Sequence, residues 1–276
     1  MTDFLATDPP GDLTPPASTR PVRFDSGGET LLGVLHLPGG PGPHPVAVLL
    51  HGFPGNERNF DLAQALRRAG YAALVFHYRG SWGIGGSWSW GNLIEDAARV
   101  VSAVREEQFA ARHRLDPARL GVVGHSVGGY TALRTAAADP AVGAVASVAA
   151  FDLGAGAAAT RDDPGERARY AAAFDDGLLP LRGTSGAALV DEMEAIGTEA
   201  GLATLATGLG DRPVLLIGAG RDAIAPPEAH HVPVVEAYAA LPHLEHHLFP
   251  TDHALADHRV ALARTVAAFL DRWLKA

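Results

Sequence analysis

The sequence contains no cysteine, which excludes disulfides, thiolate metal sites and a cysteine nucleophile. Basic residues are also scarce, because 22 Lys and Arg face 31 Asp and Glu and leave a net charge of −9. That balance argues against a nucleic-acid partner. No run approaches the roughly 18 apolar residues that span a membrane, and the N-terminus lacks a signal-peptide pattern. We therefore expect a cytoplasmic globular protein with no membrane partner.

The chain divides into a short arm and one large domain. Residues 1–21 are rich in Pro, Thr, Ser and Asp and are interpreted as a polar arm, although a strand-like segment lying on the surface is an alternative. Residues 22–276 carry alternating strand and helix patterns, which predict one α/β domain.

The order of these patterns predicts a mostly parallel sheet with helices on both faces. An antiparallel pair comes first, turned at Gly27-Gly28. The later strands are predicted at His44–Leu50, Tyr71–Tyr78, Leu120–Val123, Val142–Ala149, Val214–Ile217 and His246–Phe249. The helices are predicted at Asp61–Ala69, Asn92–Gln108, Ser126–Ala138 and Asp257–Leu274. Such sheets bind ligands at the carboxyl ends of their strands.

One segment interrupts the alternation. Residues 152–211 show no strand pattern, but Glu166–Phe174 and Ala187–Ile196 have helical character. Because a structureless loop of this length is uncommon in a compact domain, we expect a small helical cap insertion over the carboxyl edge of the sheet.

The strongest chemical signal is Gly124-His125-Ser126-Val127-Gly128, which lies between a predicted strand and a predicted helix. In that context G-x-S-x-G is a nucleophile elbow. A sharp turn exposes the Ser126 hydroxyl, and the glycines let strand and helix approach closely. Ser126 is therefore the predicted nucleophile.

A serine nucleophile needs a base and an acid that orients the base. On a scaffold of this kind they follow the serine in the order acid, then histidine. Asp222 follows the strand at Val214–Ile217, and His253 lies in the loop after the last strand. We predict these two, with His247 as the second choice for the base. Asp252 is interpreted as a loop-capping residue.

An oxyanion hole requires two backbone amides. Val127, directly after the nucleophile, is predicted to supply one. The other is assigned to Phe53 in the segment His51–Asn56, here called the oxyanion loop, because Pro54 has no N–H. His51 is assigned to shaping this loop.

A second loop, Arg79–Gly91, holds three of the four tryptophans among glycines and is called the aromatic loop. Trp82, Trp88 and Trp90 are candidate substrate-binding residues that would wall an apolar pocket. Alternatively, the rings only pin a long loop to the domain. No lysine follows as a phosphate-binding loop requires, and the histidines near 243–258 lack the H-E-x-x-H spacing of a zinc site. No metal and no cofactor are expected.

Together these motifs resemble the α/β-hydrolase superfamily over nearly all of residues 22–276. The oxyanion loop, the segment Tyr78–Ser81 and Gly129 after the elbow are similar to small esterases, including cinnamoyl-ester hydrolases, and to the catalytic domain of prolyl-oligopeptidase-type peptidases. The resemblance implies the α/β-hydrolase fold, a triad of Ser126, Asp222 and His253, and an oxyanion hole from Phe53 and Val127. Unlike the large peptidases, this chain is expected to have no N-terminal propeller, and it has serine where dienelactone-type hydrolases have cysteine.

Three functions are compatible with these residues. The first is hydrolysis of a small-molecule carboxylic ester through an acyl-enzyme on Ser126. The second is a serine peptidase or amidase of the prolyl-oligopeptidase type, because the same triad serves both reactions. The third is a binding module that has kept the pocket and lost the chemistry.

Overall fold

The computed structural model describes residues 3–275 and has eight strands in one sheet. The strands are β1 Ser18–Ser26, β2 Glu29–Leu37, β3 His44–Leu50, β4 Ala72–Phe76, β5 Leu115–His125, β6 Ala144–Val148, β7 Val214–Ala219 and β8 Leu244–Phe249. Their order across the sheet is β1-β2-β4-β3-β5-β6-β7-β8. The first two strands pair antiparallel, as do β2 and β4, and all other pairs are parallel.

Helices connect the parallel strands, since a parallel pair requires a crossover. They are α1 Phe60–Arg68, α2 Trp90–Ala103, α3 Glu107–His113, α4 Val127–Ala138, α5 Leu153–Thr160, α6 Pro164–Asp176, α7 Gly186–Ile196, α8 Ala206–Leu209, α9 Pro227–His230, α10 Val232–Tyr238 and α11 Arg259–Leu274. Two 3-10 turns, Thr198–Ala200 and Leu202–Leu205, precede α8.

The core lies on both faces of the sheet. Every residue of β3 is buried, as expected for a strand covered on both sides. On one face Leu66 of α1 and Phe269 of α11 belong to a continuous apolar cluster. On the other face Val100 of α2 and Tyr130 of α4 belong to a second cluster. Helices therefore cover both faces of one mostly parallel sheet, and the predicted fold class is confirmed.

Some predicted boundaries were wrong. The predicted helix Asn92–Gln108 is two helices, α2 and α3. Arg105 turns away at their junction to pair with Asp139, the closer contact being 2.6 Å. Phe109 of α3 packs on Phe24 of β1 with ring centroids 5.4 Å apart, so tertiary contacts override a continuous helical pattern.

The arm also ends earlier than predicted, because β1 begins at Ser18 and takes in the last four residues of 1–21. Its N-terminal part lies along the domain. Arg68 donates a hydrogen bond to the Phe4 carbonyl at 2.7 Å, and Arg264 pairs with Asp3 at 2.7 Å. The two short helices α9 and α10 were not predicted. Across residues 3–275, none of the helices is both long and apolar enough to cross a membrane.

The cap insertion, residues 152–211, is helical and comprises α5 to α8 with the two 3-10 turns. It is joined to the aromatic loop by backbone hydrogen bonds. Trp82 donates to the Pro180 carbonyl at 2.8 Å, and Trp88 donates to the Arg182 carbonyl at 2.9 Å. The cap and the aromatic loop therefore form one wall over the carboxyl ends of the strands.

Candidate active site

Ser126 occupies the turn between β5 and α4. Its backbone has φ 60° and ψ −131°, a region that non-glycine residues rarely adopt and that is associated with functional strain. The Ser126 amide donates to the Val148 carbonyl at 2.9 Å, which ties the turn to β6. A Cβ at Gly124 would overlap the backbone of Gly128. The glycines are therefore required for this turn, as the motif predicts.

Asp222 and His253 are brought together from two loops, after β7 and after β8. His253 Nδ1 donates to Asp222 Oδ2 at 2.6 Å, and the Asp222 side chain is 1% exposed. The other carboxylate oxygen, Oδ1, accepts the amides of Ile224 and Ala225, each at 2.8 Å. Burial raises the pKa of Asp222, but the hydrogen bond and charge of His253, together with the two amides, outweigh it and leave the pKa below its ordinary value. The carboxylate is therefore ionised at neutral pH and fixes a hydrogen on His253 Nδ1.

His125 links the elbow to the loop of His253. Its Nε2–H donates to the His253 carbonyl at 2.7 Å, and the two rings lie 5.0 Å apart between centroids. Burial lowers the pKa of His125 to about 3, so this donor is neutral at pH 7.

Within residues 3–275, Ser126 Oγ makes no hydrogen bond to the His253 ring. Before substrate binds, the contact between a catalytic serine and its base is often long, and it commonly shortens only in the substrate complex.

The oxyanion loop lies directly against the nucleophile. A Cβ placed on Gly52 would come 2.6 Å from Ser126 Cβ and 2.9 Å from the His125 carbonyl oxygen, so only glycine permits this approach. In the part of the chain that the structure describes, the amides of Phe53 and Val127 donate to no protein acceptor. Both are thus available to a ligand, as the prediction requires.

A cavity of about 280 Å³ opens beside Ser126. Its walls come from the oxyanion loop, the aromatic loop, the elbow, the segment after β6, the cap and the loop after β7. Most of the lining is apolar, and Arg169 is the charged side chain in it. The lining residues are Phe53, Pro54, Trp90, Ser126, Val127, Phe151, Arg169, Tyr170, Ala173, Phe174, Gly177, Ala223 and Ile224.

The three tryptophans of the aromatic loop have different positions. Trp90 lines the cavity and is anchored by its indole N–H, which donates to the Leu189 carbonyl at 2.9 Å. Trp88 is buried behind it, with ring centroids 6.2 Å apart. Trp82 lies outside the lining, where its indole N–H donates to the Pro54 carbonyl at 2.9 Å. Substrate contact by Trp90 stays a prediction, whereas Trp82 and Trp88 are placed where they support the wall.

The aromatic residues of the cap were missed by the sequence reasoning. Tyr170 and Phe174 lie four residues apart on α6 and face the cavity together with Phe151. The i, i+4 spacing of the two rings on a predicted helix was the signal that could have identified them.

The second choices have other environments. His247 is exposed on the edge strand β8, and Asp252 accepts the Ala256 amide at 2.8 Å, a capping contact. Between residues 3 and 275, no three acidic or histidine side chains are grouped so that they could hold a metal ion.

Comparison with known proteins agrees with this architecture. A family profile described as "Alpha/beta hydrolase family" matches residues 47–265. The 2,6-dihydropseudooxynicotine hydrolase of Paenarthrobacter nicotinovorans is 29% identical over 140 residues, covering 50% of this chain and 36% of that protein. Hydrolase LUC6 of a Fusarium species is 40% identical over 144 residues, covering 47% of this chain and 33% of that protein. The chain therefore spans about a third of the length of these curated relatives.

Solved structures with the same fold include two esterases. The Pyrococcus furiosus esterase has a TM-score of 0.68 at 17% identity and covers 97% of each chain. Est1E from Butyrivibrio proteoclasticus has a TM-score of 0.69 at 19% identity, covering 93% of this chain and 99% of that one. At these identities the likeness establishes the fold.

Proposed function

Because the chain belongs to the alpha/beta hydrolase family, we propose that it hydrolyses carboxylic esters with Ser126 as nucleophile, His253 as base and Asp222 as the orienting acid. The observation that carries this proposal is the 2.6 Å hydrogen bond between Asp222 and His253. The two residues belong to separate loops, which meet at the sheet edge where the strained Ser126 turn lies. The esterase names of the structural neighbours agree with it.

In the proposed reaction, His253 Nε2 removes the Ser126 proton as the hydroxyl oxygen attacks the ester carbonyl. The Phe53 and Val127 amides donate to the oxyanion that forms. His253 then delivers the proton to the departing alkoxide, which leaves an acyl group on Ser126. Water, deprotonated by the same imidazole, cleaves that acyl group and regenerates the serine.

We propose that the cavity receives the acyl group. The leaving group must face His253, which lies outside the cavity lining, whereas Ser126 and both oxyanion residues line it. A space of about 280 Å³ is roughly twice the cavity of about 150 Å³ that holds benzene. We therefore propose an apolar acyl group of moderate size, aromatic or medium-chain aliphatic.

The experiment compares p-nitrophenyl esters of increasing acyl length with aminoacyl anilides. We expect ester turnover, and Ser126→Ala should lower kcat by about four to six powers of ten. Ser102→Ala, an exposed serine on α2, is the matched control and should keep full activity. Faster anilide than ester turnover would instead favour a peptidase or amidase. No turnover of either class, in a protein that binds these compounds, would favour a binding module.

A further inference from the structure

Three side chains that lie outside the cavity lining hold carbonyl oxygens of the oxyanion loop. The Tyr78 hydroxyl donates to the His51 carbonyl at 3.2 Å. The ring of His51 donates from Nδ1 to the Gly52 carbonyl at 2.8 Å. The Trp82 indole N–H donates to the Pro54 carbonyl at 2.9 Å. The loop is therefore fixed at three of its peptide groups.

These contacts determine where the Phe53 amide points. In a trans peptide the N–H is directed opposite to the C=O. Since His51 holds the Gly52 carbonyl, the N–H of Phe53 in the same peptide is directed away from the imidazole. Trp82 holds the Pro54 carbonyl, which belongs to the peptide between Pro54 and Gly55, so the chain is held again one residue after Phe53.

Trp82 itself is held unusually firmly for a loop residue. Its φ of +48° lies in the left-handed region, which persists only where surrounding contacts enforce it. Its amide donates to the Pro180 carbonyl of the cap at 2.8 Å. The Arg58 guanidinium lies 4.3 Å from the centroid of its ring, within cation–π range.

We propose that Trp82 is a positioning residue for the oxyanion loop rather than a substrate contact. This proposal rests on the proposed function, because it assigns Trp82 to the placement of the Phe53 amide. Through its own backbone, Trp82 also connects that placement to the cap.

The test is Trp82→Phe, which keeps an aromatic ring next to Arg58 and removes the indole N–H together with one of the two fused rings. Loss of a whole oxyanion donor lowers kcat by roughly 10²–10³, and a loosened donor should cost less. We expect a kcat loss of about tenfold with KM changed less than about twofold, because the amide acts mainly in the transition state. Affinity for an alkyl boronic acid, whose adduct with Ser126 is tetrahedral, should fall by a similar factor.

The matched control is Trp273→Phe on α11, where the indole N–H is buried and has no hydrogen-bond partner within residues 3–275. It should keep the wild-type kcat. Rates are divided by the fraction of molecules labelled at Ser126 by a fluorophosphonate, which counts folded, competent sites. If wild-type protein is labelled and Trp82→Phe keeps its kcat, or raises only KM, the positioning role is refuted. If wild-type protein is not labelled, the proposed function itself fails.

Discussion

Replacing Asp222 by Asn tests the orientation of the base. The two side chains have nearly the same shape, and the amide oxygen of Asn can keep the contacts that Oδ1 makes to the amides of Ile224 and Ala225, both 2.8 Å. Those contacts force the Asn NH₂ group to face His253 Nδ1. Because two donors cannot bond each other, His253 must then accept at Nδ1 and carry its hydrogen on Nε2.

An imidazole in that tautomer cannot accept the Ser126 proton. The expected loss in kcat is up to about 10⁴, which corresponds to about 5.4 kcal/mol at 1.36 kcal/mol for each factor of ten. The Asp222 side chain is 1% exposed, so solvent offers no replacement acceptor. The fold should persist, because the loop contacts remain.

The assay is the steady-state kcat for a p-nitrophenyl ester, normalised to the folded protein. Asp252→Asn is the control. The Asp252 carboxylate directly precedes His253 in sequence but accepts the Ala256 amide, so its loss should change kcat by less than a few-fold. If Asp222→Asn retained kcat within about tenfold of the wild type, Asp222 would not orient the base, and the acid would have to be sought elsewhere.

Three further predictions concern stability. Asp96 is fully buried and accepts hydrogen bonds from the Arg79 amide and guanidinium. Asp96→Ala should therefore lower the free energy of unfolding by about 3–5 kcal/mol, whereas loss of the exposed partner by Glu95→Gln should change it by at most about 1 kcal/mol, as urea titration would show. Gly124→Ala should prevent the elbow from forming, because its Cβ meets backbone; circular dichroism that showed a native melting temperature would contradict this. The folded-state pKa of Asp222 is lowered, so its stabilising effect is complete above the unfolded pKa near 3.9 and is lost as pH falls through the folded value. The difference in urea midpoint between wild type and Asp222→Asn should shrink below about pH 4, and a constant difference would count against the shift.

Much of this fold could be predicted because its strands are buried on both faces. The strand His44–Leu50 is predicted and observed with the same limits, since a short apolar run that ends in His-Gly has few other structural interpretations than a buried strand. The helix after Ser126 is likewise marked by the glycines of the elbow. Where local pattern and tertiary contact disagree, the prediction fails. The break between α2 and α3 contains no Gly or Pro and depends on the distant residues Asp139 and Phe24.

The site shows the same division. Asp222 and His253 were predicted from their positions after strands, because parallel strands end at one edge, and the structure brings these two side chains together. The cavity walls were harder to identify, because Phe151 and Phe174 face the site only through the packing of the cap. Trp82 and Trp90 have similar neighbours in sequence, but Trp90 lines the cavity and Trp82 lies outside it. Their roles depend on which carbonyl each indole reaches, Pro54 or Leu189, and no local pattern encodes that choice.

The most direct test of the central claim is covalent labelling of the intact protein with a fluorophosphonate, followed by peptide mass spectrometry. A serine activated by His253 should be phosphonylated with one label per chain, on the peptide containing Ser126, and Ser126→Ala should carry none. An unlabelled wild-type chain, or a label that persists in Ser126→Ala, would contradict a nucleophile at this turn.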